Sequence, residues 1–228
     1  MDKRWFEVKN VANAPVELWL YSDIGEYGVT AADFVAELSA IKGPINLHIN
    51  SNGGDVFQAL AIYTALKARA PTVYIDGLAA SAASLVAMAG NKIIMAKHSW
   101  LMAHAASGLT VGFAADHRKM ADLLDLMSKN IASIYSERAG GSVEDWLALM
   151  NEETWFSDEQ AVAAGLADEV AGDAVNATVD LSKFKNPPAI EPAPEPEPDV
   201  ADADEPEPVE VPGIDYAALF REATEGVI

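Results

Sequence analysis

Ile45-Asn46-Leu47-His48-Ile49-Asn50-Ser51-Asn52-Gly53-Gly54-Asp55 is the stretch that decides the fold. From Ile45 to Ile49 apolar and polar residues alternate with period two, the pattern of a half-buried strand. The Gly53-Gly54 pair then marks a tight loop. Beyond it, Val56, Ala59, Leu60, Tyr63 and Leu66 recur at helical spacing, predicting a helix over residues 55–70. A strand, a glycine turn and a helix in succession form the repeating unit of an α/β layer fold.

The same alternation extends in both directions. Residues 16–21 read as a first short strand. Residues 30–41 read as a helix, opened by Thr30 with Asp33 three positions on. Downstream, residues 72–75 are strand-like and end at Asp76-Gly77, and residues 81–90 read as a buried, Ala-rich helix. Residues 92–96 and 100–103 are two further strands, and residues 114–139 form a long helix stopped by Gly140-Gly141. Short helices follow from Ser142 and Ser157. This predicts an α/β domain over residues 1–186 with crossover connections.

Residues 187–212 differ in kind, holding nine prolines, nine carboxylates and no basic residue. Such a segment buries little and repels itself, which predicts an extended acidic linker. Residues 213–228 place Tyr216, Leu219, Phe220 and Ala223 on one helical face, suiting either a solvated end or a short docking helix.

Composition narrows the function. The chain has 228 residues, no cysteine and a net charge of −20. Thiol catalysis and disulfides are excluded, and nucleic-acid binding is disfavoured for want of a basic surface. No apolar signal-peptide core follows the charged start, and the longest apolar run, residues 78–90, is too short to cross a bilayer. A soluble cytoplasmic protein is expected. No His/Asp/Glu group has ligand spacing, so neither a metal nor a cofactor is expected.

Three features carry chemistry. Consecutive glycines before a helix let backbone N–H groups reach a ligand oxygen, as an oxyanion hole requires, although an ordinary positive-φ turn has the same composition. Gly77-Leu78-Ala79-Ala80-Ser81-Ala82 puts a serine at a helix start among small residues, where it suits an N-cap or a nucleophile open to a substrate backbone. Ser84, one turn on, is the competing nucleophile. Of the four histidines, His48 sits mid-strand, His98 in a turn and His117 on a polar helix face. His104 alone ends a strand and opens onto small residues, where a general base belongs, although a structural or merely exposed histidine fits the same position.

In combination these segments resemble those of the Clp protease proteolytic subunits. Ile49-Asn50-Ser51-Asn52-Gly53-Gly54 is similar to that family's I-N-S-P-G-G, with Asn52 for proline. Gly77-Leu78-Ala79-Ala80-Ser81 resembles G-x-A-A-S, and Ser99-Trp100-Leu101-Met102-Ala103-His104 resembles S-x-x-M-x-H. Trp155-Phe156-Ser157, with Gly165-Leu166-Ala167-Asp168, resembles the closing pattern. Four motifs in order cover residues 45–170.

The resemblance implies a crotonase-like α/β spiral with a long protruding helix, assembled as a homo-oligomeric ring, and a serine endopeptidase acting on protein substrates. It assigns Ser81 as nucleophile, His104 as base, and the N–H groups of Gly54 and Ala82 as oxyanion donors. Glu153 stands in the aspartate's place, with Glu152, a backbone group or water as alternatives. Ser22-Asp23-Ile24-Gly25 and the short lead-in to it resemble the Clp-type head-maturation proteases of tailed bacteriophages. There the resemblance implies scaffold or capsid substrates and no need of an ATPase partner. An inactive ring-forming subunit and a crotonase-type thioester enzyme are the competing classes.

Overall fold

The period-two pattern of residues 45–49 becomes β3 (Ile45–Ser51), whose positions alternate strictly between buried and partly exposed. The computed structural model describes residues 6–9, 14–171 and 184–188. In it β1 (Phe6–Lys9) pairs antiparallel with β2 (Val16–Leu20). From there β2, β3, β4 (Thr72–Ala80), β5 (Lys92–Met95) and β8 (Glu169–Val170) run parallel in that order. The expected mixed α/β class with a parallel sheet is what the chain adopts.

β4 is longer than its sequence suggests. Instead of ending at Asp76-Gly77 it continues to Ala80 and serves two partners. Residues 72–75 pair with β5, and residues 78–80 pair with β6 (Trp100–Ala103). The side chain of Asn50 sustains the bend by accepting a hydrogen bond from the Leu78 N–H at 3.1 Å. The register of β3 shifts there, so that Ser51 comes to face Ala79. Asp76-Gly77 reads as a stop locally, but neighbouring strands complete the ladder across it.

Two other expectations need correction. The first strand is Phe6–Lys9, ahead of residue 16. Residues 154–157 form an unforeseen strand, β7 (Thr154–Ser157), paired antiparallel with β6. Four residues without clear alternation carry no local strand signal, and only the distant partner creates one. The acidic segment beyond residue 188 and the helix expected over residues 213–228 lie outside the described residues.

Helices α1 (Ala31–Ala40) and α2 (Val56–Lys67) bury Phe34, Leu38, Ala59, Ile62 and Leu66 in the main core. Asp55 caps α2 by accepting from the Gln58 N–H at 2.9 Å. Arg69 binds the carbonyls of Leu38, Ile41 and Gly43, closing the turn into β3. The short α3 (Ala82–Ala87) is wholly buried, three residues shorter at its end than the 81–90 reading. The long α4 (Ala114–Ala139) is buried only through Ser128, Ile131, Ala132, Ile134 and Tyr135, so its first half projects from the domain. Helices α5 (Val143–Asn151) and α6 (Asp158–Ala163) flank β7, each opened by a serine capping box. No helix among the described residues is long and apolar enough to cross a membrane.

Candidate active site

Ser81 is the single residue between β4 and α3, and it has φ 53° and ψ −126°. A non-glycine residue in this region costs on the order of 1–3 kcal/mol and persists only where its surroundings impose it. The Ser81 N–H donates to the Met102 carbonyl at 2.9 Å, which ties the elbow to β6. Its hydroxyl makes no capping bond. It lies instead 2.7 Å from Nε2 of His104. Ser84 is fully buried, donates to the Ser81 carbonyl at 2.6 Å and pairs with the Tyr135 hydroxyl at 2.7 Å. It supports the elbow and faces no solvent.

His104 follows the last residue of β6. The loop after it is fixed by bonds from the Ala105 N–H to the Met150 carbonyl and from the Ala106 N–H to the Ser128 hydroxyl. Burial pushes the imidazole pKa below its ordinary value. The Glu153 carboxylate partly opposes this shift and the Lys185 ammonium adds to it. A neutral ring with Nε2 against a hydroxyl is the state a general base needs.

The other histidines lie elsewhere. His48 bonds Asp76 and Glu17 at 2.8 and 2.9 Å and stacks between Trp19 and Tyr74, a structural role across β2, β3 and β4. His98 occupies a positive-φ turn, and His117 is exposed on α4.

The glycine pair forms the positive-φ turn that its composition suits. Gly53 has φ 92°, and a Cβ there would stand 2.5 Å from the Ala80 carbonyl and 2.7 Å from the Ala82 nitrogen. Gly54 has φ 140°, and its Cβ would fall 2.1 Å from the Ile24 carbonyl. Bonds from Ile24 N–H to the Gly53 carbonyl and from Asp55 N–H to the Ile24 carbonyl clamp the loop against the serine elbow. Gly54 and Ala82 line one cleft with Ser81 and His104, of about 250 Å³. Among the described residues, neither of their N–H groups donates to a protein acceptor.

Glu153 lines the same cleft and is 9% exposed, whereas Glu152 is exposed and outside it. Glu153 makes no hydrogen bond to His104 among the described residues. Its oxygens accept from the backbone N–H of Asn186 at 2.6 Å, from that of Lys185 at 3.0 Å and from the Trp155 indole at 3.4 Å. Burial alone would raise its pKa, but these donors, Asn186 and Lys185 foremost, hold it below the usual value. Phe184 also lines the cleft. Sequence reading missed this segment, whose only signal is a lone aromatic ahead of Pro187-Pro188.

A sequence model described as Clp protease matches residues 2–174. The chain belongs to the Clp protease family. It is 33% identical over 145 residues to the ATP-dependent Clp protease proteolytic subunit 2 of Chlamydia pneumoniae, covering 62% of this chain and 71% of that protein. It is 30% identical over 168 residues to the proteolytic subunit 1 of Leifsonia xyli subsp. xyli, covering 69% and 84%. With the proteolytic subunit 2 of Chlamydia trachomatis serovar D it shares 34% over 134 residues, covering 57% and 66%. Membership in the Clp protease family makes this chain a serine-type endopeptidase by class.

Proposed function

We propose that Ser81, His104 and Glu153 carry peptide-bond hydrolysis in the cleft. The observation that supports this best is the 2.7 Å contact of the Ser81 hydroxyl with His104 Nε2, at a strained elbow and beside two unused N–H groups. In the proposed reaction His104 Nε2 takes the hydroxyl proton as Oγ bonds to the scissile carbonyl carbon. The carbonyl oxygen becomes an oxyanion, stabilised by the N–H groups of Gly54 and Ala82, and one such donor is worth roughly 10²–10³ in rate. The imidazolium then protonates the leaving amine, and water, deprotonated by His104, hydrolyses the acyl-enzyme. Glu153 stays ionised and favours the imidazolium by its charge.

The protein works in this reading as a homo-oligomeric ring acting on protein substrates in the cytoplasm. Support comes from the highly exposed Leu109, Val111 and Phe113 beside the site loop and from Leu126 on projecting α4, an apolar surface that suits a second copy. Replacing Leu109, Val111 and Phe113 together by serine is expected to yield protomers in sedimentation velocity. An unchanged sedimentation coefficient would remove that surface from the assembly.

The resemblance of residues 22–25 to phage head-maturation proteases extends the proposal to scaffold or capsid substrates, in the host cytoplasm or the procapsid. The acidic tail would then bind scaffold or be removed by self-cleavage. An intact C-terminus by mass spectrometry in active particles would exclude self-cleavage.

The deciding experiment is fluorophosphonate labelling of the purified protein, read by peptide mass spectrometry beside Ser81→Ala. Labelling at Ser81 that vanishes in the control supports the mechanism. An assembled protein that does not label would instead be an inactive ring subunit, a reading favoured by the missing His104–Glu153 hydrogen bond.

A further inference from the structure

We propose that Phe184-Lys185-Asn186 is a positioning strap, whose two backbone N–H groups seat the Glu153 carboxylate in the cleft where it acts on His104. The proposal rests on the Ser81–His104 reading above.

A glutamate side chain is one methylene longer than aspartate and has more rotamer freedom to lose when fixed. Something must hold it. The Asn186 N–H and the Trp155 indole meet Oε1, and the Lys185 N–H meets Oε2. Hydrogen bonds to an ionised acceptor are about twice as strong as neutral ones. The segment is itself anchored on both sides of the acid. The Phe184 ring stands edge-on to Trp155 at 5.1 Å and packs with Leu78, Ala80 and Met102, residues of the strands that carry Ser81 and His104. The Asn186 amide additionally donates to the Glu152 carbonyl at 3.2 Å.

The contribution of Lys185 is its backbone. Its ammonium opposes a charge on His104, so the side chain works against the acid that the N–H group supports. A carboxylate offers about four lone-pair sites. Three donors therefore fix Glu153 without exhausting its oxygens.

The test measures fluorophosphonate labelling of Ser81 against pH in the full chain, comparing wild type with Asn186→Pro and Phe184→Ala. Asn186→Pro deletes the 2.6 Å donor, and Phe184→Ala removes the anchor. Both are expected to label about tenfold or more slowly at the plateau, with the acid limb displaced to lower pH, because an unseated carboxylate stabilises the imidazolium less. Added to Glu153→Gln, either change is expected to cost nothing further. Phe184→Tyr is expected to restore the wild-type profile, which serves if Asn186→Pro does not fold.

An unshifted acid limb, an equal loss in the Glu153→Gln background, or faster labelling would overturn the strap. The His104 titration followed by NMR reads the same seat without catalysis. A wild-type chain that never labels sinks the Ser81 reading, while an unmoved His104 midpoint in the strap variants sinks the strap.

Discussion

The Ser81 hydroxyl and His104 Nε2 meet at 2.7 Å although each belongs to a different strand end. The Ser81 N–H is bound to the carbonyl of Met102, two residues before that histidine. Parallel pairing of β4 with β6 through residues 78–80 and 100–102 thus sets both residues at the same edge of the sheet.

Removing either partner is expected to be severe and not additive. Ser81→Ala and His104→Ala should each lower peptide hydrolysis by roughly 10⁴–10⁶, and the double variant by about the same factor. Active-site titration and initial rates check this. A further large loss in the double variant would mean that the two residues act independently.

The acid limb of kcat/KM is expected below pH 6.5, because burial lowers the His104 pKa from that value. The base must be neutral, so activity falls as pH drops through the lowered pKa. Lys185→Gln, which removes the opposing ammonium, should move the limb upward, and Glu153→Gln should move it downward. Rates measured from pH 4.5 to 8 decide both directions.

Gly53→Ala is expected to cost about 2–4 kcal/mol, combining a positive-φ penalty with a backbone clash against Ala80 and Ala82. The Tm should fall by roughly 5–15 °C. Labelling of Ser81 should fall as well, since the clash displaces the elbow itself. Differential scanning fluorimetry beside the labelling assay reads both.

His48 should make the fold weaken toward higher pH. Burial acts to lower its pKa, but Asp76 and Glu17 raise it on balance, with Tyr21 also bonded to Asp76 and Asn46 to Glu17. A group whose folded pKa is raised contributes stability that is full below about pH 6.5, its unfolded value, and is lost as pH rises through the folded pKa. His48→Phe keeps a ring between Trp19 and Tyr74 and is expected to flatten that part of the stability curve. Urea denaturation across pH 6–9 compares the two.

Much of the site was legible because its parts are local. The alternation of Ile45 to Ile49, the two glycines and the small residues around Ser81 each dictate a backbone shape over a few residues. The four ordered motifs placed Ser81, His104, Gly54 and Ala82 in a single family pattern. Helix ends were readable for the same reason, since Thr30, Ser142 and Ser157 cap within their own first turn.

By itself the sequence determined the strand–helix succession, the family and which serine and histidine could meet. Tertiary structure decided what depends on pairing across distance. β4 runs past Asp76-Gly77 because Asn50 and β6 complete its ladder, and residues 154–157 are a strand because β6 lies beside them. The Glu153 carboxylate is held by backbone more than thirty residues downstream. A backbone N–H is the same in every residue but proline, so no side-chain pattern could announce that contact; only the folded path of the chain brings donor and acceptor together.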